Sequence, residues 1–101
     1  MEFEWDEGKR RTNYAKHGLD LRDAEKVFQD ITITAEDNRQ DYGEKRFITL
    51  GRFEDIVVVI FYTQRSEKIR IISMRKANQK EKKAHEEKIF FGLEAPPELE
   101  G

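Results

Sequence analysis

The sequence predicts an α+β domain: a short strand, two helices, a four-stranded antiparallel meander and a C-terminal helix, with the helices packed on one side of the sheet. Three observations carry this. Apolar spacing is helical up to about Gln29, changes to a period of two at Ile31, and becomes helical again after Asn78. The segments with strand character are joined by short polar connections, which favour antiparallel neighbours. And 101 residues are one domain's worth, enough for a single core without staples.

Phe3-Glu4-Trp5 alternates like a short strand, with Trp5 as a core anchor. Asp6 can cap the next helix by accepting from free N–H groups of its first turn. That helix should run to about His17, and Gly18 can take the left-handed position after it. Lys9, Asn13 and Lys16/His17 fall on one face, a polar stripe that must find partners or a site. Asp20 caps a second helix over residues 21 to about 29, with Leu21, Ala24, Val27 and Phe28 inward and Leu19 stapled onto Ala24. Ile31, Ile33 and Ala35 then alternate with Thr32 and Thr34 as a half-buried strand. Residues 38–44 form a polar loop, 45–52 a second strand, and Glu54-Asp55 a tight turn. Ile56 to Thr63 is β-branched and apolar on both faces, so it should be the central strand. A turn at Arg65 to Glu67 leads to a last strand, Lys68 to Arg75. Asn78-Gln79-Lys80-Glu81 reads as a capping box opening a helix to about Phe90 or Phe91. Pro96-Pro97 ends regular structure. Residues 1–91 are thus expected to form the domain, and 92–101 an acidic, disordered tail.

Composition narrows the chemistry. The chain has 19 Lys+Arg against 21 Asp+Glu, a net charge of -2, which excludes a uniformly basic nucleic-acid binder. With no Cys there is no disulfide, thiol nucleophile or Cys-based zinc site. Two His and no HExxH or DxDxDG pattern leave nothing that specifies a metal, and no cofactor is expected. The six Gly never cluster into a phosphate loop, and Ser66 and Ser73 lack a nucleophile-elbow context. The longest apolar run, Ile56 to Tyr62, is too short for a membrane span, and the N-terminus does not resemble a signal peptide. A cytoplasmic location without membrane contact is expected. The charges are nevertheless uneven, with nine basic and four acidic residues from Arg65 to Lys88. This is either a solvated helix face or a positive surface for a polyanion.

What remains is a cationic set with two imidazoles. Metal-free RNA cleavage needs a proton acceptor for the 2′-OH, a donor for the leaving oxygen, and fixed positive charge on the phosphorane. Arg65, Arg70 and Arg75 lie at five-residue intervals on or beside one strand. Strict alternation puts Ser73 and Arg75 on one face and Arg70 on the other. Imidazole is the side chain best suited to act as acid or base near neutral pH, which singles out His17 and His85, and Lys9 lies on the His17 side of its helix. Each has a simpler reading. His17 can serve as a helix C-terminal cation, His85 as a solvated side chain, Arg70 as the partner of a neighbouring acid, and Glu81 as a cap.

Three blocks add a resemblance. F-E-W-D-E-G-K-x3-N-x2-K-H-G with A-x2-V-F after it (Phe3 to Phe28), D-Y-G-E-K-R-F-x3-G (Asp41 to Gly51), and the stretch I-R-I-I-S-M-R-K-A within Arg65 to Glu81 resemble the BrnT family in order and spacing. These are toxins of bacterial type II toxin–antitoxin modules. The resemblance implies a RelE-like microbial ribonuclease fold and an RNA endonuclease that inhibits translation and arrests growth. It also implies a BrnA-type ribbon-helix-helix antitoxin that neutralises the toxin and represses the operon, so operator DNA is reached only through that partner. The family-motif positions are Trp5, Asp6, Lys9, Asn13, His17, Arg46, Arg65, Arg70, Ser73, Arg75 and Glu81. His85 stands where the family usually has Tyr. The roles expected are phosphate binding by Arg65 and Arg75 with support from Lys9, and proton transfer by His17, with His85 as second candidate. Asn13 would orient the imidazole, with Trp5, Asp6, Arg46, Arg70, Ser73 and Glu81 supporting RNA binding. Two rivals stand beside this: a catalytically weak module acting in antitoxin binding and operon control, and a ribosome-binding inhibitor that cuts nothing.

Overall fold

The computed structural model describes residues 1–93, so the expected acidic tail lies, from residue 94 on, outside the described residues. The elements are β1 (Glu2–Trp5), α1 (Glu7–His17), a 3-10 turn (Leu21–Asp23) running into α2 (Ala24–Phe28), β2 (Ile33–Glu36), β3 (Arg46–Phe53), β4 (Ile56–Arg65), β5 (Lys68–Lys76) and α3 (Gln79–Glu87). The caps follow the sequence chemistry. Asp6 accepts from the Lys9 N–H, Gly18 closes α1 at φ 70°, and Asn78 and Glu81 form both halves of a capping box. No helix among the described residues is long and apolar enough to cross a membrane.

The sheet corrects the expected four-stranded antiparallel one: it has five strands, is mixed, and runs in the order β1-β5-β4-β3-β2. Strands β2 to β5 pair antiparallel with their sequence neighbours, and β1 joins the outer edge of β5 in parallel. A four-residue strand carries too little pattern to announce its partner or its direction. As expected, β4 is central.

The helices also do not share one side. Val58, Ile60 and Tyr62 pack with Leu19, Leu21, Ala24 and Val27, whereas Val59 and Phe61 join Ile48, Leu50 and the partly buried Ala84 and Phe90 around α3. The cause is in β4, whose apolar residues on both faces need cover on both. On the first face α2 approaches β3 closely, because a Cβ at Gly51 would collide with the Val27 side chain. Element ends shift too. Ile31 is exposed ahead of β2, and the second helix is shorter and begins as a 3-10 turn. Helix α3 stops at Glu87, where Lys88 turns left-handed at φ 61° and sends Phe90 and Leu93 back onto the core.

One irregularity positions the site. Phe61 pairs with Ser73 but Tyr62 pairs with Ile71, so Ile72 is an extra residue in β5. The bulge resets the alternation. Arg70 sits opposite Thr63, Ser73 opposite Phe61 and Arg75 opposite Val59, all on the α3 face. The expected split of Arg70 from Arg75 is therefore corrected.

Candidate functional site

The α3 face carries most of the sequence's arginines. Arg75 extends from β5 toward the first turn of α3, where its Nη1 and Nη2 donate to the two carboxylate oxygens of Glu81, both at 2.9 Å. Nη1 also donates to the Lys76 carbonyl at 3.2 Å. Glu81 is only 4% exposed and simultaneously accepts from the Asn78 N–H. Burial would raise its pKa, but Arg75 and that N–H hold it below the ordinary carboxylate value. Such a bidentate pair fixes the guanidinium plane rather than merely supplying charge. The Arg75 guanidinium also lies 5.5 Å from the centroid of Phe61, and Arg39 approaches the same ring at 5.4 Å.

Arg39 has its own carboxylate. Its Nε and Nη2 each donate to Asp37 at 2.7 Å, and the Tyr42 hydroxyl donates to Asp37 at 2.9 Å. Burial opposes ionisation of Asp37, yet Arg39 and Tyr42 more than offset it and hold its pKa down. Next to this, Arg46 lies 4.2 Å over the Tyr42 ring and, with Arg65, reaches Glu44. Arg70 pairs with Glu4 at 3.1 Å. The face is thus a row of guanidiniums held in place by carboxylates. It was only partly legible: Arg39, Asp37 and Tyr42 belong to an irregular segment with no periodicity to point at them.

The face also separates residues expected together. Arg75 lies opposite Val59 and Arg65 six residues further along β4, which at about 3.3 Å per residue makes them roughly 20 Å apart. They do not share one phosphate. Between them, Arg46 and Arg70 flank Thr63 from β3 and β5. Ser73 sits beside Phe61 on this face, partly buried.

The remaining candidates lie on α1 or just ahead of it, except His85, which is on α3. Asn13 does not orient an imidazole. Its Nδ2 donates to the carbonyls of Leu19 and Met74, and its Oδ1 accepts from the Met74 N–H. It therefore occupies the edge of β5 beyond the last β1 pair, as a strand would. The Asp6 carboxylate, held below its usual pKa first by the Lys9 N–H, also feels the charges of Lys9 and Arg70. Trp5 packs partly buried on the opposite face and donates its indole N–H to Glu7. His17 is partly exposed at the C-terminal end of α1. His85 is buried at 8% exposure, and its Nε2 has no hydrogen-bond partner among the described residues. Burial, then Lys88 and Arg52, push its pKa down, so the neutral imidazole prevails at neutral pH. It is not the solvated side chain of the simpler reading.

Among the described residues no group of three or more His, Cys, Asp or Glu side chains gathers where a metal could bind. The arrangement suits polyanion binding: fixed guanidiniums along one face, the best oriented beside a cleft of about 490 Å³ at the start of α3. Comparison with known proteins agrees with this chemistry. No curated protein matches the chain. The family model described as "Ribonuclease toxin, BrnT, of type II toxin-antitoxin system" matches residues 5–81, a span that runs from Trp5, the last residue of β1, through β2 to β5 and ends at Glu81, so that it includes the Arg75–Glu81 pair. The chain belongs to the BrnT family of ribonuclease toxins of type II toxin–antitoxin systems.

Proposed function

We propose that the chain is a metal-independent endoribonuclease of RelE-like type, acting in the cytoplasm to inhibit translation and arrest growth, with Arg75 holding the scissile phosphate. The observation that carries this reading is the Arg75 guanidinium, fixed by a buried carboxylate at the wall of a cleft. In-line attack of a ribose 2′-OH on phosphorus builds negative charge on the phosphorane oxygens. A guanidinium that is already oriented meets that charge without reorganising.

The proton steps fall to imidazoles. Helix α1 runs from Asp6 and Lys9, in the field of Arg70, past Asn13 at Met74, and so carries His17 toward the Arg75 end of β5. His17, being partly exposed, takes the 2′-OH proton as the 2′ oxygen bonds to phosphorus and the P–O5′ bond breaks, and solvent protonates the leaving 5′ oxygen. His85, neutral and four residues beyond Glu81 on the same helix, is the second candidate. Arg70, Arg46 and Arg65, with Lys9 behind Asp6, form a track for neighbouring phosphates, and Ser73 lies between that track and Arg75.

The antitoxin is a BrnA-type ribbon-helix-helix protein that covers the basic face and carries the complex to operator DNA. A catalytically weak binding module would use the same face, and the two readings part on cleavage. Purified protein incubated with RNA in excess EDTA should cut it as fast as without chelator. Complete loss of cleavage in EDTA would overturn metal independence.

A further inference from the structure

The cleft beside Arg75 is built partly from residues beyond the family match, which ends at Glu81. One wall is Lys80, Glu81 and Ala84 of α3, and the other is the segment Ile89 to Leu93. That segment is anchored at intervals. The Ile89 N–H donates to the Ala84 carbonyl at 3.1 Å, and Phe90 and Leu93 pack on the core. Gly92, at φ 99°, runs close to the Glu36 carbonyl and Ala35, where a left-handed backbone suits Gly. Between these anchors Phe91 is 94% exposed, and Ile89 is 54% exposed beside it. A large aromatic held outward gains nothing for the fold and is a contact waiting for a partner.

We infer that this cleft is a base-binding subsite of the ribonuclease, in which Phe91 stacks the base of a nucleotide flanking the phosphate held by Arg75; the inference rests on the proposed RNA cleavage. Three features favour single-stranded RNA over a protein segment. The exposed surface is aromatic and continuous with the wall that bears Arg75. Lys80 adds positive charge on the α3 side, matching the next phosphate along the strand. The volume, about 490 Å³, suits a nucleoside-sized group. Stacking tolerates any base, so the subsite adds affinity and register more than sequence choice.

The test uses the full chain and a non-cleavable 2′-O-methyl oligoribonucleotide. Phe91→Ala should weaken binding roughly tenfold or more, Phe91→Trp should retain it, and neither should shift the melting temperature. A single abasic position in the oligonucleotide should cost wild type a similar factor and cost Phe91→Ala little more, the non-additivity expected of two partners in one contact. Wild-type protein that binds RNA in an Arg75-dependent way while Phe91→Ala binds equally well overturns the subsite alone. If the same variant instead loses affinity for the antitoxin, the cleft belongs to a protein partner and the subsite is again overturned. Wild-type protein that binds no RNA overturns the ribonuclease reading and the subsite with it.

Discussion

Two buried acids and one buried base set the chemistry of the α3 face. Glu81 and Asp37 are held ionised by Arg75 and by Arg39 with Tyr42, against the opposing effect of burial. Their folded pKa values lie below the unfolded ones. The stability they contribute is therefore present above about pH 4.5 and lost as pH falls through the folded values. His85 has the same sign at higher pH. Its imidazole is depressed from 6.5, so the fold favours the neutral form, and stability declines as pH drops below that point and the ring protonates beside Lys88 and Arg52. Melting temperature should therefore fall on acidification in two stages. His85→Phe should remove the first stage, which sets in as pH falls below 6.5, and leave the carboxylate stage intact. An unchanged first stage in the variant would show that another group titrates there. None of this was visible in composition, which showed His85 only within a Lys- and Glu-rich helix.

At the scale of elements, caps and the central strand were legible because each follows a local rule. Asp6, Gly18, Asn78 and Glu81 act on their own helix ends, and β4 announces its position by being apolar on both faces. Other features are decided by a partner distant in sequence. Nothing near Glu2–Trp5 says that it pairs parallel with β5, and nothing near Ile72 says that the strand gains a residue there. The bulge matters most for the candidate site, since it alone puts Arg70 on the face of Ser73 and Arg75. Asn13 is a further long-range case: a motif residue whose three hydrogen bonds tie α1 to the edge of β5 and to Leu19. Asn13→Ala leaves the Met74 N–H and C=O without that partner and should destabilise the protein by about 1–3 kcal/mol, read as a lower urea midpoint with unchanged slope. A variant as stable as wild type would mean that water or a neighbour replaces the carboxamide.

Across the whole molecule, the net charge of -2 conceals a polarised surface. Arg46, Arg65, Arg70 and Arg75 converge on one face although they come from three different parts of the sequence pattern, β3, the end of β4 and β5. Carboxylates from Glu4, Glu44 and Glu81 partly neutralise them, so binding should be directed by placed contacts rather than by a large field. RNA affinity should fall with salt, and replacing Arg46, Arg65 and Arg70 by Ala should flatten the plot of log K against log salt by about 0.7 per lost phosphate contact. An unchanged slope would place the RNA elsewhere. The family match shows a ribonuclease toxin, and Arg75 is its proposed centre. The most direct measurement is the single-turnover rate of RNA cleavage by purified protein in EDTA, for wild type and for Arg75→Ala. Wild type should cleave, and the variant should be slower by about 100-fold or more while melting as a folded protein. Equal rates would contradict the account.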